Sequence, residues 1–266
     1  MNSTQIISVI NQKGGVGKTT TVINLATALS FHKKKVLVID LDPQGNATTG
    51  FGLSNVDGMK TVYDVLNGSL FFEDAIKDTK IENLKLVSSN VDLSGLEVET
   101  AAENRRAFLL KDKIENFINS SKNDFSYIFI DCPPSLNLLT VMSLVAAKSL
   151  IVPLQAEFFA LEGLSQLMKT IDRVKVKLNP TLEIRGVLLT MFDKRNKLST
   201  EVDTEARKVF KEKVYQTVIP RNVRLSEAPS HGIPVLIYDK LCAGSRSYSN
   251  FTEEFLKQEN IMESAA

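Results

Sequence analysis

Apolar residues fall into short unbroken runs, separated by polar turns and by longer stretches of helical spacing. Ile6-Ile7-Ser8-Val9-Ile10, Val36-Leu37-Val38-Ile39, Leu84-Lys85-Leu86-Val87 and Tyr127-Ile128-Phe129-Ile130 read as strands. Leu150-Ile151-Val152-Pro153 and Ile184 to Thr190 continue the series, and Val214 to Val218 reads as a late strand. Continuous Val/Ile/Leu runs mark strands covered on both faces, as in parallel sheets. Between them Val22 to Ser30, Thr61 to Leu66, Glu103 to Asn119, a segment from Leu136, and Glu157 to Leu178 have helical spacing. Ser199 or Thr200 would cap a further helix to about Glu212, and Tyr248 to Gln258 makes the last. This alternation predicts an α/β fold: a doubly wound, mostly parallel sheet with helices on both faces. No repeat or linker divides residues 1–266, so one domain is expected, with an acidic tail fraying from about residue 259.

The chemistry sits where the strands end. After the first comes Lys13-Gly14-Gly15-Val16-Gly17-Lys18-Thr19-Thr20, followed by a helix. Strand, glycine-rich loop and helix in that order make a phosphate-binding loop. Glycines let backbone N–H groups face phosphate oxygens, and the helix start adds free N–H groups and partial positive charge. Lys18 can reach terminal phosphates and the Thr19 hydroxyl can hold Mg²⁺. Gln12 stands where the ordinary motif has its first glycine, and Lys13 is a second lysine inside the loop. The second strand ends in Asp40-Leu41-Asp42-Pro43, two carboxylates suited to work beside a metal-bound nucleotide. The Tyr127 strand ends in Asp131-Cys132-Pro133-Pro134, and Asp131 is placed to orient the waters that Mg²⁺ retains.

Composition narrows the setting. No apolar run is long enough to span a bilayer. The start, Met1-Asn2-Ser3-Thr4-Gln5, carries no basic region or hydrophobic signal segment, so a cytoplasmic protein is expected. Cys132 and Cys242 stand alone, which argues against a disulfide framework or zinc site. The net charge of +1 conceals an asymmetry: Lys169 to Arg246 holds 16 Lys/Arg against 9 Asp/Glu. A basic half points to a polyanionic partner.

Four blocks together carry a resemblance: Asn11 to Thr21, Val36 to Asn46, Tyr127 to Ser135, and Ile219 to Ser230. With Lys13 inside the loop, the chain resembles the deviant Walker A ATPases, and in particular the ParA/Soj partition ATPases. The segment Ile219-Pro220-Arg221-Asn222-Val223-Arg224-Leu225-Ser226-Glu227-Ala228-Pro229-Ser230 is its most specific part. The resemblance implies a slow, Mg²⁺-dependent ATPase that sandwiches ATP in a homodimer. Gly14, Gly15, Val16, Gly17, Lys18, Thr19 and Thr20 would cradle the phosphates, with Thr19, Asp42 and Asp131 serving the metal. Lys13 would reach the partner's phosphates, Asp42 would orient the attacking water, and Asp40 would support the metal or phosphate loop. Pro220, Arg221 and Asn222 would contact adenine. It also implies non-specific binding of double-stranded DNA through Arg195, Arg224 and Lys240, with Lys194, Lys197 and Arg246 as further candidates. A salt bridge from Arg224 to Glu227 is the competing reading. A ParB-like centromere-binding protein would stimulate hydrolysis on the nucleoid. A MinD-like division regulator is the alternative, but it would need a basic amphipathic C-terminal helix, and Glu253 to Glu259 is acidic.

Overall fold

The computed structural model describes residues 4–53, 58–120, 124–157 and 160–265, with side chains through Glu259. Met1-Asn2-Ser3, Phe158 and Phe159 therefore lie outside the described residues. Strands β1 (Gln5–Val9), β2 (Val36–Asp40), β3 (Ile76–Asp78), β4 (Leu84–Val87), β5 (Tyr127–Asp131), β6 (Ser149–Gln155) and β7 (Glu183–Thr190) form one sheet. Its order is β3-β4-β2-β5-β1-β6-β7, and every pairing is parallel except the edge pair β3–β4. Helices α1 (Lys18–Phe31), α2 (Asn46–Gly50), α3 (Val62–Leu66), α4 (Phe72–Ala75), α5 (Leu96–Glu99) and α6 (Leu109–Ser120) occupy the first half. The second half holds α7 (Leu138–Ala146), α8 (Ala160–Lys177), α9 (Lys197–Phe210), α10 (Val223–Glu227), α11 (Val235–Tyr238) and α12 (Ala243–Ala265).

The period-two alternation of a strand sends neighbouring side chains into different cores. Val36 and Val38 join Ile7, Val9 and Phe129 under α1 and α12, with Val22, Leu25, Phe251 and Phe255. Leu37 and Ile39 face the other way with Ile128 and Ile130, against Leu110 and Ile114 of α6 and Met142 of α7. At the far side Leu150 and Val152 meet Leu164 and Leu167 of α8. Each buried aliphatic or aromatic side chain contributes roughly 1.5–3 kcal/mol. Both faces of β2 and β5 are closed, which explains their unbroken apolar runs.

Several boundaries differ from the sequence reading. Helix α9 is capped by Asn196, whose side chain accepts from Leu198 N at 3.0 Å, rather than by Ser199 or Thr200. Helix α7 begins at Leu138 on an Asn137 cap, and the stretch from Glu103 turns through a tight 3₁₀ segment before α6 starts at Leu109. Val214 to Val218 is not a strand. Only Val214 forms a bridge, to Val187, while Gln216 N and Thr217 N donate to the Glu254 carboxylate instead of a neighbouring strand. Helix α12 starts five residues early, at Ala243, because Gly244 lets it press onto α10: a Cβ there would sit 2.6 Å from Leu225 Cγ. It runs on to Ala265, and Glu259, where the sequence reading begins the fraying tail, is ion-paired with Arg185.

Candidate functional site

The sheet order explains why residues far apart in sequence meet. Strand β5 lies between β2 and β1, so Asp131 is in register with both Asp40 and Val9. The loop after β1, the acids ending β2 and the acid ending β5 thus converge at the carboxyl edge, where such sheets bind ligands. Gly15 and Gly17 take φ of 74° and 90°, values that glycine alone adopts without strain. Asn11 braces the loop by donating to Pro153 O at 2.7 Å and accepting from Lys13 N at 3.0 Å. Thr190 ties it to β7 through a 2.8 Å bond to Val16 O. Thr21 N donates to Gly17 O, leaving the N–H groups just before it turned toward the loop. Lys18 is buried and donates to Lys13 O at 3.0 Å. Burial pulls its pKa below the usual lysine value, opposed by Asp131, Cys132 and Asp42.

The three acids differ in their surroundings. Asp40 is saturated: Oδ2 accepts from Thr48 N at 2.8 Å and Thr48 Oγ1 at 2.7 Å, and Oδ1 from Asp42 N at 3.2 Å. It therefore braces the Asp42 turn and α2 rather than the phosphate loop. Burial nevertheless lifts its pKa to about 6. Asp42 is 6% exposed and accepts from Gln44 N at 3.0 Å. Asp131 is 0% exposed, and neither carboxylate oxygen has a hydrogen-bond partner among the described residues. Burial, and after it the Asp40 charge, push its pKa well above the carboxylate range, although Thr19 and Lys18 lie close enough to oppose the shift. Cys132 is fully buried against Ser8 and Ser143, its thiol pushed up to about 11 by burial, so it is inert filler.

A cleft of about 430 Å³ runs over these groups, lined by Gly14, Gly15, Gly17, Lys18, Thr19, Thr20 and Asp42. Past Met191 it adjoins a pocket of about 210 Å³ walled by Ile219, Pro220, Arg221, Asn222 and Tyr248. Met191 has φ 50°, the kind of local strain that gathers at working sites. Asn222 Oδ1 is buried without a partner among the described residues. Val16 is buried beneath the loop, and Lys13 points away from the cleft into an ion pair with Glu157. Arg195, Arg224 and Lys240 lie outside both cavities' phosphate end, on the exposed surface. Arg195 forms a two-pronged pair with Asp193, at 3.0 and 2.9 Å. Arg224 pairs with Glu227 at 2.7 Å, the competing reading for it, and with Asp239 at 3.4 Å. Asn11, Thr48, Thr190 and Glu157 escaped the sequence reading. Asn11 borders the loop motif, whereas no local signal marks the other three.

A glycine loop between β1 and α1, facing acids at the ends of β2 and β5 of a doubly wound sheet, defines a P-loop nucleotide-binding protein of the type with a second loop lysine. Comparison with known proteins refines that class. Residues 4–184 match the AAA domain family. The chain is 50% identical over 265 residues to the chromosome partitioning protein ParA of Caulobacter vibrioides, covering 100% of this chain and 98% of that one. It is 48% identical over 250 residues to the sporulation initiation inhibitor protein Soj of Bacillus subtilis, covering 94% and 97%. Among solved structures, a cobyrinic acid a,c-diamide synthase from Mycobacterium smegmatis with bound ATP analogue and magnesium superposes with a TM-score of 0.83. That structure is 34% identical over 96% of this chain and 95% of its own. The chain belongs to the ParA/Soj family of chromosome-partitioning ATPases.

Proposed function

We propose that this protein is an Mg²⁺-dependent ATPase that drives DNA partition, binding DNA as an ATP-bound dimer and hydrolysing ATP when a ParB-like partner engages it. The observation that carries the nucleotide chemistry is Asp131: a wholly buried carboxylate with neither oxygen in a well-formed hydrogen bond among the described residues, with the Thr19 hydroxyl, Lys18 and Asp42 close by. Such a group is costly unless a cation or its water shell satisfies it, so the residues present fit a magnesium ion. Bound there, magnesium would neutralise phosphate charge. Thr19 and Asp131 would hold it, directly or through water, with Asp42 at its edge. Lys18 exchanges the Lys13 carbonyl for phosphate oxygens, joined by the loop N–H groups and Thr20. Asp42, lining the cleft and accepting a single side-chain hydrogen bond, orients the attacking water. Pro220, Arg221 and Asn222 take the adenine.

Lys13 supplies the dependence on assembly. Its ammonium faces outward, and a cation delivered to a phosphoryl group by a second subunit raises rates by about 10³–10⁵ in related chemistry. Turnover of the isolated subunit is accordingly slow. Arg195, Arg224 and Lys240 present the DNA-binding charge. Ion pairs as exposed as Arg195–Asp193 and Arg224–Glu227 are weak because water screens them, so DNA phosphates can compete for both arginines. A MinD-like membrane role fits less well, because α12 spends Phe251 and Phe255 on the core.

Two substitutions test the site. Asp42→Ala is expected to retain ATP binding and the ATP dimer while losing hydrolysis. Lys13→Ala is expected to bind ATP yet stay monomeric by light scattering. A stable ATP dimer of Lys13→Ala would contradict the trans role of that lysine.

A further inference from the structure

The chain from Val214 to Asn222 runs beside β7 in an uneven register. Tyr215 N donates to Val187 O at 3.0 Å, and Ile219 N to Leu189 O at 2.8 Å. Two steps along β7 are therefore matched by four along its neighbour, a bulge two residues deep. Beyond it the pairing resumes, with Phe192 N donating to Ile219 O at 3.0 Å. Inside the bulge the N–H groups of Gln216 and Thr217 have no strand to receive them. Both go to one side chain: Glu254 accepts from Gln216 N at 2.6 Å and from Thr217 N at 2.8 Å. Bulges re-aim the chain that follows them, and here that chain is Ile219-Pro220-Arg221-Asn222, the wall of the 210 Å³ pocket.

Glu254 belongs to a helix fixed on both sides of it. Tyr248, six residues earlier, lines the same pocket and bonds Thr21 of α1 at 3.1 Å. Glu259 pairs with buried Arg185 of β7 at 3.2 Å, and the Arg185 guanidinium lies 4.0 Å over the Phe255 ring. The carboxylate is thus presented from a rigid element, and a two-pronged bond from an ionised acceptor is stronger than a neutral pair.

We propose that Glu254 is a positioning residue for the base-binding half of the nucleotide site. It holds the bulge at Gln216 and Thr217, and thereby sets the register in which Pro220 to Asn222 reach the base. This rests on the 210 Å³ pocket being the base site. Glu254 lines neither cavity and bonds the bulge rather than the phosphate loop, so its removal should weaken recognition of the base and spare recognition of the phosphates.

The full-length protein is titrated calorimetrically with ATP and, separately, with inorganic tripolyphosphate, both with magnesium. Glu254→Gln, whose amide can accept only one of the two N–H groups, is expected to weaken ATP about tenfold and tripolyphosphate less than about twofold. Glu254→Asp, keeping the charge one methylene short, is expected to fall between, and it serves should the glutamine variant fold poorly. Parallel weakening of both ligands would mean a general structural role and overturn the proposal. Unchanged ATP affinity in both folded variants would overturn it too. If the wild-type protein gains nothing from the nucleoside, the base-site reading itself falls, and the proposal with it.

Discussion

A carboxylate that is completely buried, with neither oxygen in a well-formed hydrogen bond among the described residues, as Asp131 is, lowers the stability of a fold until a cation arrives to use it. Asp131→Asn is therefore expected to raise the melting temperature of the nucleotide-free protein by several degrees, while abolishing magnesium-dependent hydrolysis. The sign of the pH dependence follows from the same groups. Burial raises the pKa of Asp40 to about 6 and that of Asp131 well above the carboxylate range. The folded state then binds protons more tightly than the unfolded chain does, so their contribution is fully present near pH 4 and is lost as pH rises through about 6 and beyond. Urea unfolding of the nucleotide-free protein between pH 4 and 7 should show this decline, and Asp131→Asn should flatten it. A steeper decline in the variant would contradict the burial argument. These acids were legible in the sequence because each ends an apolar run; the difference between saturated Asp40 and orphaned Asp131 was not, because Thr48 is what saturates Asp40.

Elements were legible to the extent that their burial is uniform. Strands β2, β4 and β5 could be read directly, being short apolar runs between polar turns. Strand β3, an edge of two half-buried residues and one exposed one, left no such trace. The misread segment Val214–Val218 is the instructive case. Its composition is that of a strand, but a carboxylate 38 residues away takes the N–H groups a strand would offer, and Arg207 donates to the carbonyls of Val214 and Tyr215 at 3.3 and 3.0 Å. Local pattern cannot register a partner supplied by another helix. At this scale α12 is the element to test. Its Glu259 neutralises Arg185, whose side chain is 5% exposed. Glu259→Ala leaves that guanidinium buried and unpaired, and is expected to cost about 3 kcal/mol in urea unfolding. A loss below about 1 kcal/mol would show that α12 is not anchored there.

Across the whole molecule, the charge split matches the division of labour proposed for it. The segment from Lys169 to Arg246 has 16 Lys/Arg against 9 Asp/Glu, and all the candidate DNA contacts lie in it. The acidic remainder holds the phosphate loop and its three acids. Both halves meet at the 210 Å³ pocket: Gly17 and Thr20 line it from one side and Leu225 and Ser226 of α10 from the other, while α10 carries Arg224 on its surface. A nucleotide filling that pocket thus touches the helix that bears a DNA-binding candidate, and a dimer doubles the charge offered to one duplex. DNA affinity measured with ATP, with ADP and without nucleotide, at 50 and 200 mM salt, shows whether nucleotide gates DNA binding. If Arg195, Arg224 and Lys240 on each of two subunits reach phosphates as proposed, about six contacts result, and ATP-dependent affinity should fall about 10³-fold between those salt concentrations. Tight binding with ATP alone and that steep decline are expected; equal binding in all three nucleotide states would rule out ATP-gated DNA binding.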